Sequence, residues 1–257
     1  MTTVVVDPRM RQRRMEVSRT RGRRQRRRLL WLAVPVVLVA VLAAVAQTPL
    51  LDVDRVTVEG AGQTPRRAII EASQISHGDS MAGLDEAAAE RRVAELPWVA
   101  DANAVREWPG TVRITVSERT PVAVVAAGQG GWATVDATGR VLHVGEDPHQ
   151  PLVRIPGVSA TPVEGEELPA ETHAALRVAQ TADARLRGLL ASLTVDLVGE
   201  LRDPDTGAVA SVAFGSADEL DEKVAALSAI VSQVDLGCLR LVNLEVPSAP
   251  VTEPKGC

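Results

Sequence analysis

Residues 29–46, LLWLAVPVVLVAVLAAVA, form an apolar run without a charged residue. As a helix, 18 residues reach about 27 Å, close to the ~30 Å hydrocarbon core of a bilayer. Pro35 falls in its second turn, a position that membrane helices tolerate. Arg26, Arg27 and Arg28 abut the start of the run, and residues 1–28 carry 11 Arg against Asp7 and Glu16. The rest of the chain is acidic, with 17 Lys and Arg against 31 Asp and Glu. Positive charge stays on the cytoplasmic side, so the pattern predicts a single-pass plasma-membrane protein with residues 1–28 inside and everything after Gln47 outside. A cleaved signal peptide is the alternative, because Ala44-Val45-Ala46 fits a cleavage site. The 28-residue leader and the long apolar run favour the uncleaved anchor. Either way the remainder is exported.

The arm, 1–28, has no apolar periodicity and reads as disordered. Its arginines suit topology and anionic lipid headgroups, each worth about 1 kcal/mol near the surface. No aromatic is interleaved to stack bases, so no nucleic acid is expected. A cytoplasmic docking partner stays open. The exported part, about 210 residues, suffices for one or two domains. With three Trp, one Phe and no Tyr after Gln47, its cores must be built from Val, Leu, Ala and Ile. Cys238 and Cys257 make neither a disulfide scaffold nor a zinc site, and whether they bridge is open. His77, His149 and His173 lack ligand spacing, and no glycine-rich phosphate loop is present, so neither metal nor cofactor is expected.

The first exported module spans about 50–119. Leu51–Glu59 predicts a strand ended by Gly60 and Gly62. Thr64-Pro65 predicts a helix start with Thr as cap, and Ile69, Ala72 and Ile75 its buried face. A second helix, capped by Asp85, buries Ala89, Val93 and Leu96 and stops at Pro97. Ala102–Glu107 and Thr111–Glu118 predict strands about the turn Trp108-Pro109-Gly110, the second burying Val112, Ile114 and Val116. The order is β-α-α-β-β.

The second module spans about 120–246. Pro121–Ala127 predicts a strand, followed by a hairpin of Trp132–Val135 and Arg140–Val144 about Asp136-Ala137-Thr138-Gly139. Leu152–Ile155 is a short strand. One helix is predicted from Pro169 to Gly188. Leu193–Val198 and Ala208–Phe214 read as strands, Ser216–Glu219 as a capping box. Leu220, Val224, Leu227, Val231 and Val234 then form a helical stripe, and Leu239–Val246 a last strand. The fold class expected is α+β: a transmembrane helix at 29–46, the small β-α-α-β-β module, then a mixed domain with an antiparallel-rich sheet and two flanking helices.

Several stretches together carry a resemblance: Val56-Thr57-Val58-Glu59-Gly60, Leu96-Pro97-Trp98-Val99, Trp108-Pro109, and Val116-Ser117-Glu118-Arg119-Thr120-Pro121-Val122-Ala123. They resemble the POTRA domain of the bacterial division proteins FtsQ and DivIB, in an actinobacterial version by the Ala, Val and Arg bias. Basic tail, one span, POTRA and larger β domain match the family's order over essentially the whole chain. Lys223 matches its "G…L…K…L" helix, and the Asp136–Gly139 hairpin its "D-x-x-G" start of the β domain. The resemblance implies a non-catalytic divisome scaffold at the septum. Its implied partners are FtsB and FtsL and, through them, the septal peptidoglycan synthases. It also implies a partner contact at the C-terminal strand and the segment 247–257, here Val242, Leu244, Val246, Ser248, Ala249, Val251 and Thr252. Pro247 and Pro250 lack N–H groups and interrupt pairing there; the alternative is a disordered tail. A second contact is expected at a POTRA edge strand, near Val53–Val58 or Thr111–Val116, with Arg113 facing outward.

The enzymatic alternative is a sortase-like membrane-anchored transpeptidase with Cys238 as nucleophile, Arg240 beside it and His143 on another strand. A thiolate needs a neighbouring base or cation. Leu-Gly-Cys-Leu-Arg lacks the Thr that the sortase pattern requires, and a lone Cys among Leu and Val is more often a small buried hydrophobe.

Overall fold

The structure is a computed structural model that describes residues 33–39, 52–128, 130–146 and 152–256. The expected arm lies outside these residues, as does the expected span except for 33–39, which are helical (α1) and exposed. Among the described residues no helix is long and apolar enough to cross a membrane.

The described residues divide into two compact units: those up to Thr57 with Ile75–Asp85 and Val105–Arg113, and Val58–Gln74 with Glu86–Ala104 and those from Ile114 onward. In the first unit the chain from residue 52 is pinned by main-chain bonds. Val53 N–H donates to Asp79 O (2.8 Å), and Gly78 N–H to Val53 O (2.9 Å). Asp54 and Arg55 N–H both donate to Gly110 O, at 2.7 and 3.1 Å. A Cβ on Gly110 would stand 2.5 Å from Asp54 Oδ2 and 2.9 Å from Asp52 O, so this turn must end in glycine.

The β-α-α-β-β order is present as β1 (Arg55–Glu59), α2 (Arg66–Ser73), α3 (Glu86–Ala94), β2 (Val99–Glu107) and β3 (Thr111–Glu118). The strands form one sheet in the order β1-β3-β2. Alternation in β3 buries Val112, Ile114 and Val116, each worth about 1.5–3 kcal/mol if fully buried. Ile69, Ala89 and Val93 are buried on the helices. Two expectations need correction. β3 is the central strand, so Thr111–Val116 offers no free edge; the sheet's edges are β1 and β2. Thr64 does not cap α2 with its side chain. The amides before the helix instead meet a distant carboxylate: Gln63 N–H and Thr64 N–H donate to Glu118, both at 2.8 Å.

The remaining strands form a nine-stranded sheet. They are β4 (Pro121–Ala126), β5 (Trp132–Asp136), β6 (Val141–Gly145), β7 (Val153–Ile155), β8 (Leu190–Leu193), β9 (Val198–Arg202), β10 (Val209–Ala213), β11 (Leu239–Asn243) and β12 (Val251–Pro254). Their order is β12-β11-β10-β9-β8-β7-β4-β5-β6. β4–β7, β7–β8 and β10–β11 are parallel and the other neighbours antiparallel.

Among the described residues three helices, not two, accompany this sheet. The helix expected over Pro169–Gly188 is broken into α4 (His173–Thr181) and α5 (Ala184–Leu189), because Asp183 turns its carboxylate onto Leu186 N–H (2.8 Å) and caps a new helix. α6 (Leu220–Gln233) buries Leu220, Val224, Leu227 and Val231 as its stripe predicts, while Val234 falls beyond its end. The capping box at Ser216–Glu219 does not form. Glu219 is left-handed (φ 53°) and caps nothing with its side chain; Ser216 O instead accepts from the buried Lys223 ammonium at 2.9 Å. The strand expected at Leu193–Val198 is a hairpin turn between β8 and β9, with Leu197 at φ 59°. Phe214, Leu176, Leu186, Leu193 and Leu201 are fully buried in one continuous core.

Candidate functional site

The nine-stranded sheet ends in two edge strands, and the residues beside them differ. Along β6, a strap of residues 163–168 takes up the main-chain groups. Val141 N–H donates to Glu166 O (2.9 Å), Gly165 N–H to Val141 O (2.9 Å), and Leu168 N–H to Gly139 O (2.9 Å). Val144 N–H donates to the Glu164 carboxylate at 2.8 Å, and the same oxygen lies 2.8 Å from His143 Nδ1.

β12 is the opposite edge. It runs antiparallel to β11, with Asn243 opposite Val251, Val242 opposite Thr252 and Leu241 opposite Glu253. Lys255 N–H donates to Cys238 O (2.8 Å) at its far end, and Arg240 pairs with Glu253 across the two strands. Among the described residues no strand pairs with the outer side of β12. An antiparallel strand in that position presents N–H and C=O groups to another chain. Pro247 and Pro250 precede β12 rather than interrupting it, in a connection where Ala249 N–H donates to Val246 O (3.1 Å) and Glu245 N–H to Asn243 Oδ1 (2.9 Å). Glu219, Glu222, Glu245, Val246, Pro247 and Ser248 line an open cleft beside it.

The seven residues expected at this contact separate into two groups. Val242 and Leu244 are buried in the core: β11, which carries Val242, lies between β10 and β12, and Leu244, the next residue after β11, still donates its N–H to Ala213 O at 2.8 Å. Their side chains cannot meet a partner, which corrects the expectation for those two. Val246 and Val251 are 54% and 61% exposed, and Ser248, Ala249 and Thr252 are exposed as well. Arg113 lies on β3 in the small sheet, half-exposed and bidentate with Glu107 at 2.7 and 3.1 Å. Hydrogen bonding from Arg113 holds the Glu107 carboxyl below its usual range.

A second constellation lies inside the larger unit, where β3 passes into β4. Arg119 donates from Nε to Val99 O (3.0 Å) and from Nη1 to Asp136 Oδ2 (2.7 Å). Asp136 also accepts from Thr138 N–H, Thr138 Oγ1 and Arg140 N–H at 2.9, 2.7 and 2.9 Å. Arg140 reaches Glu95 O at 2.8 Å. Burial alone would raise the Asp136 pKa; Arg119, Thr138 and Arg140 outweigh it and hold the carboxyl below its ordinary value. Glu118 follows the same logic, with the Thr64 and Gln63 amides overcoming the effect of burial. Thus the residues after Ser117 latch local structure: Glu118 at the start of α2, Arg119 at the β5–β6 hairpin. Sequence alone shows these residues as a motif; the partners, 17 and 54 residues away, had no local signal.

The candidate catalytic residues are not brought together. Cys238 is disulfide-bonded and has no free thiol; Cys257 lies outside the described residues. Arg240 is engaged with Glu253. His143 is on β6, seven strand positions from β11, or about 34 Å at the usual strand spacing. Among the described residues no cluster of His, Cys, Asp and Glu suits a metal ion.

Residues 51–119 match the family model for the POTRA domain, FtsQ-type. The chain is 30% identical over 216 residues to the cell division protein FtsQ of Mycobacteroides abscessus, covering 83% of this chain and 67% of that protein. It is 33% identical over 118 residues to FtsQ of Corynebacterium glutamicum, covering 46% of this chain and about half (53%) of that protein. With FtsQ of Streptomyces bingchenggensis the identity is 29% over 215 residues, 78% of this chain and 75% of that protein. The small three-stranded sheet coincides with the matched POTRA, and the similarity continues into the nine-stranded domain, so the chain belongs to the FtsQ family.

Proposed function

We propose that the chain is a non-catalytic scaffold of bacterial cell division, held in the plasma membrane by residues 29–46 with its N-terminus in the cytoplasm. In this reading the exported domains gather FtsB- and FtsL-like division proteins at the septum and, through them, the septal peptidoglycan synthases. The Arg-rich arm lies on anionic headgroups. The observation that carries the partner site is the asymmetry of the large sheet: β6 is strapped by residues 163–168, and β12 is not paired on its outer side among the described residues. Strand addition at β12 would draw affinity from main-chain bonds and selectivity from side chains that alternate along the strand, with exposed Val246, Ser248, Ala249, Val251 and Thr252 beside it. The disulfide at Cys238 and the distance to His143 support a scaffold over a thiol transpeptidase.

The test is a photoactivatable residue at Thr252 in dividing cells, with capture identified by mass spectrometry. Recovery of an FtsB-like protein at the septum supports the reading. Recovery of wall precursors alone, or of nothing, overturns it.

A further inference from the structure

The chain has five aromatic residues, and all but one of the described ones are wholly or partly withdrawn from solvent. Phe214 is buried, Trp98 and Trp132 are half-buried, and Trp108 is 55% exposed. Trp108 and Pro109, which is exposed as well, form the tip of the β2–β3 hairpin, and Val105, 46% exposed, lies three residues before Trp108. The tip is tied to the place where the chain enters its first unit. Asp54 and Arg55 N–H donate to Gly110 O, and a Cβ on Gly110 would stand 2.9 Å from Asp52 O. Val53 is in turn held by Gly78 and Asp79. Asp52 follows the last residue of the apolar run, Ala46, by six positions. Six residues span at most about 22 Å when fully extended.

We propose that the Trp108-Pro109 tip is a lipid-binding contact seated at the headgroup level of the outer leaflet, beside the membrane span. The proposal rests on the reading of residues 29–46 as an anchor. A short leash keeps the tip near the bilayer, and the tip carries the side chain that membrane interfaces favour: an apolar indole with one N–H for the wet side. Exposure of a Trp on a chain otherwise sparing with aromatics suits an occupant that supplies both environments. Two points of attachment, span and tip, then fix how the first unit stands on the membrane.

The experiment uses the full chain carrying Trp31→Phe, reconstituted in vesicles of phosphatidylethanolamine, phosphatidylglycerol and cardiolipin, part of it brominated in the shallow acyl region. Three Trp remain, so quenching of the one at the tip removes about a third of the emission. Adding Trp108→Ser abolishes that quenching with the melting temperature unchanged. Protein that resists alkaline extraction yet shows no bromine quenching overturns the tip contact and leaves the anchor standing. Protein that washes off the vesicles overturns the anchor, and the tip contact with it. Emission that responds to an added division protein but not to brominated lipid also overturns the proposal, because the tip then faces a protein.

Discussion

The two edges of the nine-stranded sheet face the same hazard by opposite means. An unpaired edge is a template for another chain, and proteins usually blunt it. At β6 the blunting comes from within the chain: Glu166 O and Gly165 N–H take the main chain of Val141, and the Glu164 carboxylate takes Val144 N–H. At β12 the same sheet ends in four residues, with Val251 exposed and Arg240–Glu253 tied only to the inner neighbour. The strap shows that this fold can close an edge with half a dozen residues. Among the described residues the other end has no such strap, and that contrast is why β12 is the edge proposed for a partner.

The largest effect should come from ending the chain after Val246. β12 is removed, and affinity for an FtsB-like partner falls at least a hundredfold by titration, while circular dichroism shows the POTRA and the remaining sheet folded. Unchanged binding would place the partner site elsewhere. Next is Asp136→Ala, which leaves Arg119 without its anion and should cost about 3 kcal/mol in urea unfolding. Asp136 also gives the pH signature. Its folded pKa lies below the ordinary value of 3.8. Its stabilisation is therefore complete above the unfolded pKa and lost as pH falls through the folded one. Asp136→Asn should be less stable than the parent at neutral pH and lose less on acidification below about pH 4. Smaller again is Glu164→Gln at the strap. It weakens a charge-assisted bond to Val144 N–H, costs about 1 kcal/mol, and should raise self-association in sedimentation if the strap guards that edge. Least costly to the fold is Arg113→Glu. It breaks a half-exposed ion pair worth at most about 1 kcal/mol, so thermal stability should hardly move while septal localisation is disturbed. Normal localisation would reduce the POTRA to a spacer.

What was legible in the sequence followed the reach of each signal. Alternation in Thr111–Glu118 and the Leu220–Val231 stripe are local and periodic, and both elements stand where the pattern puts them. The break at Asp183 was hidden because the apolar stripe runs on through it; only the carboxylate's bond to Leu186 N–H shows that the helix restarts. The β8–β9 turn was missed because it sets Leu197, not glycine, at positive φ. β12 gave four residues without an apolar run, following two prolines, which reads as tail until β11 is there to pair with it. Glu118 and Arg119 were recognisable as a motif but not as latches, since a cap supplied from 54 residues away leaves no mark near the helix it serves. Val242 and Leu244 carry no local sign that β11 is an inner strand, because its outer neighbour β12 follows two prolines.

The chain contains only two lysines, Lys223 and Lys255, against 26 arginines. Lys223 is 1% exposed, with its ammonium donated to Ser216 O, so acylating reagents cannot reach it in the folded protein. Lys255 is exposed and stands one residue beyond β12. Of the two lysine side chains, only the one beside β12 is thereby open to amine reagents in the folded protein. A dye or crosslinker attached there reports on that edge without any engineered residue, and a bound strand would shield it from modification.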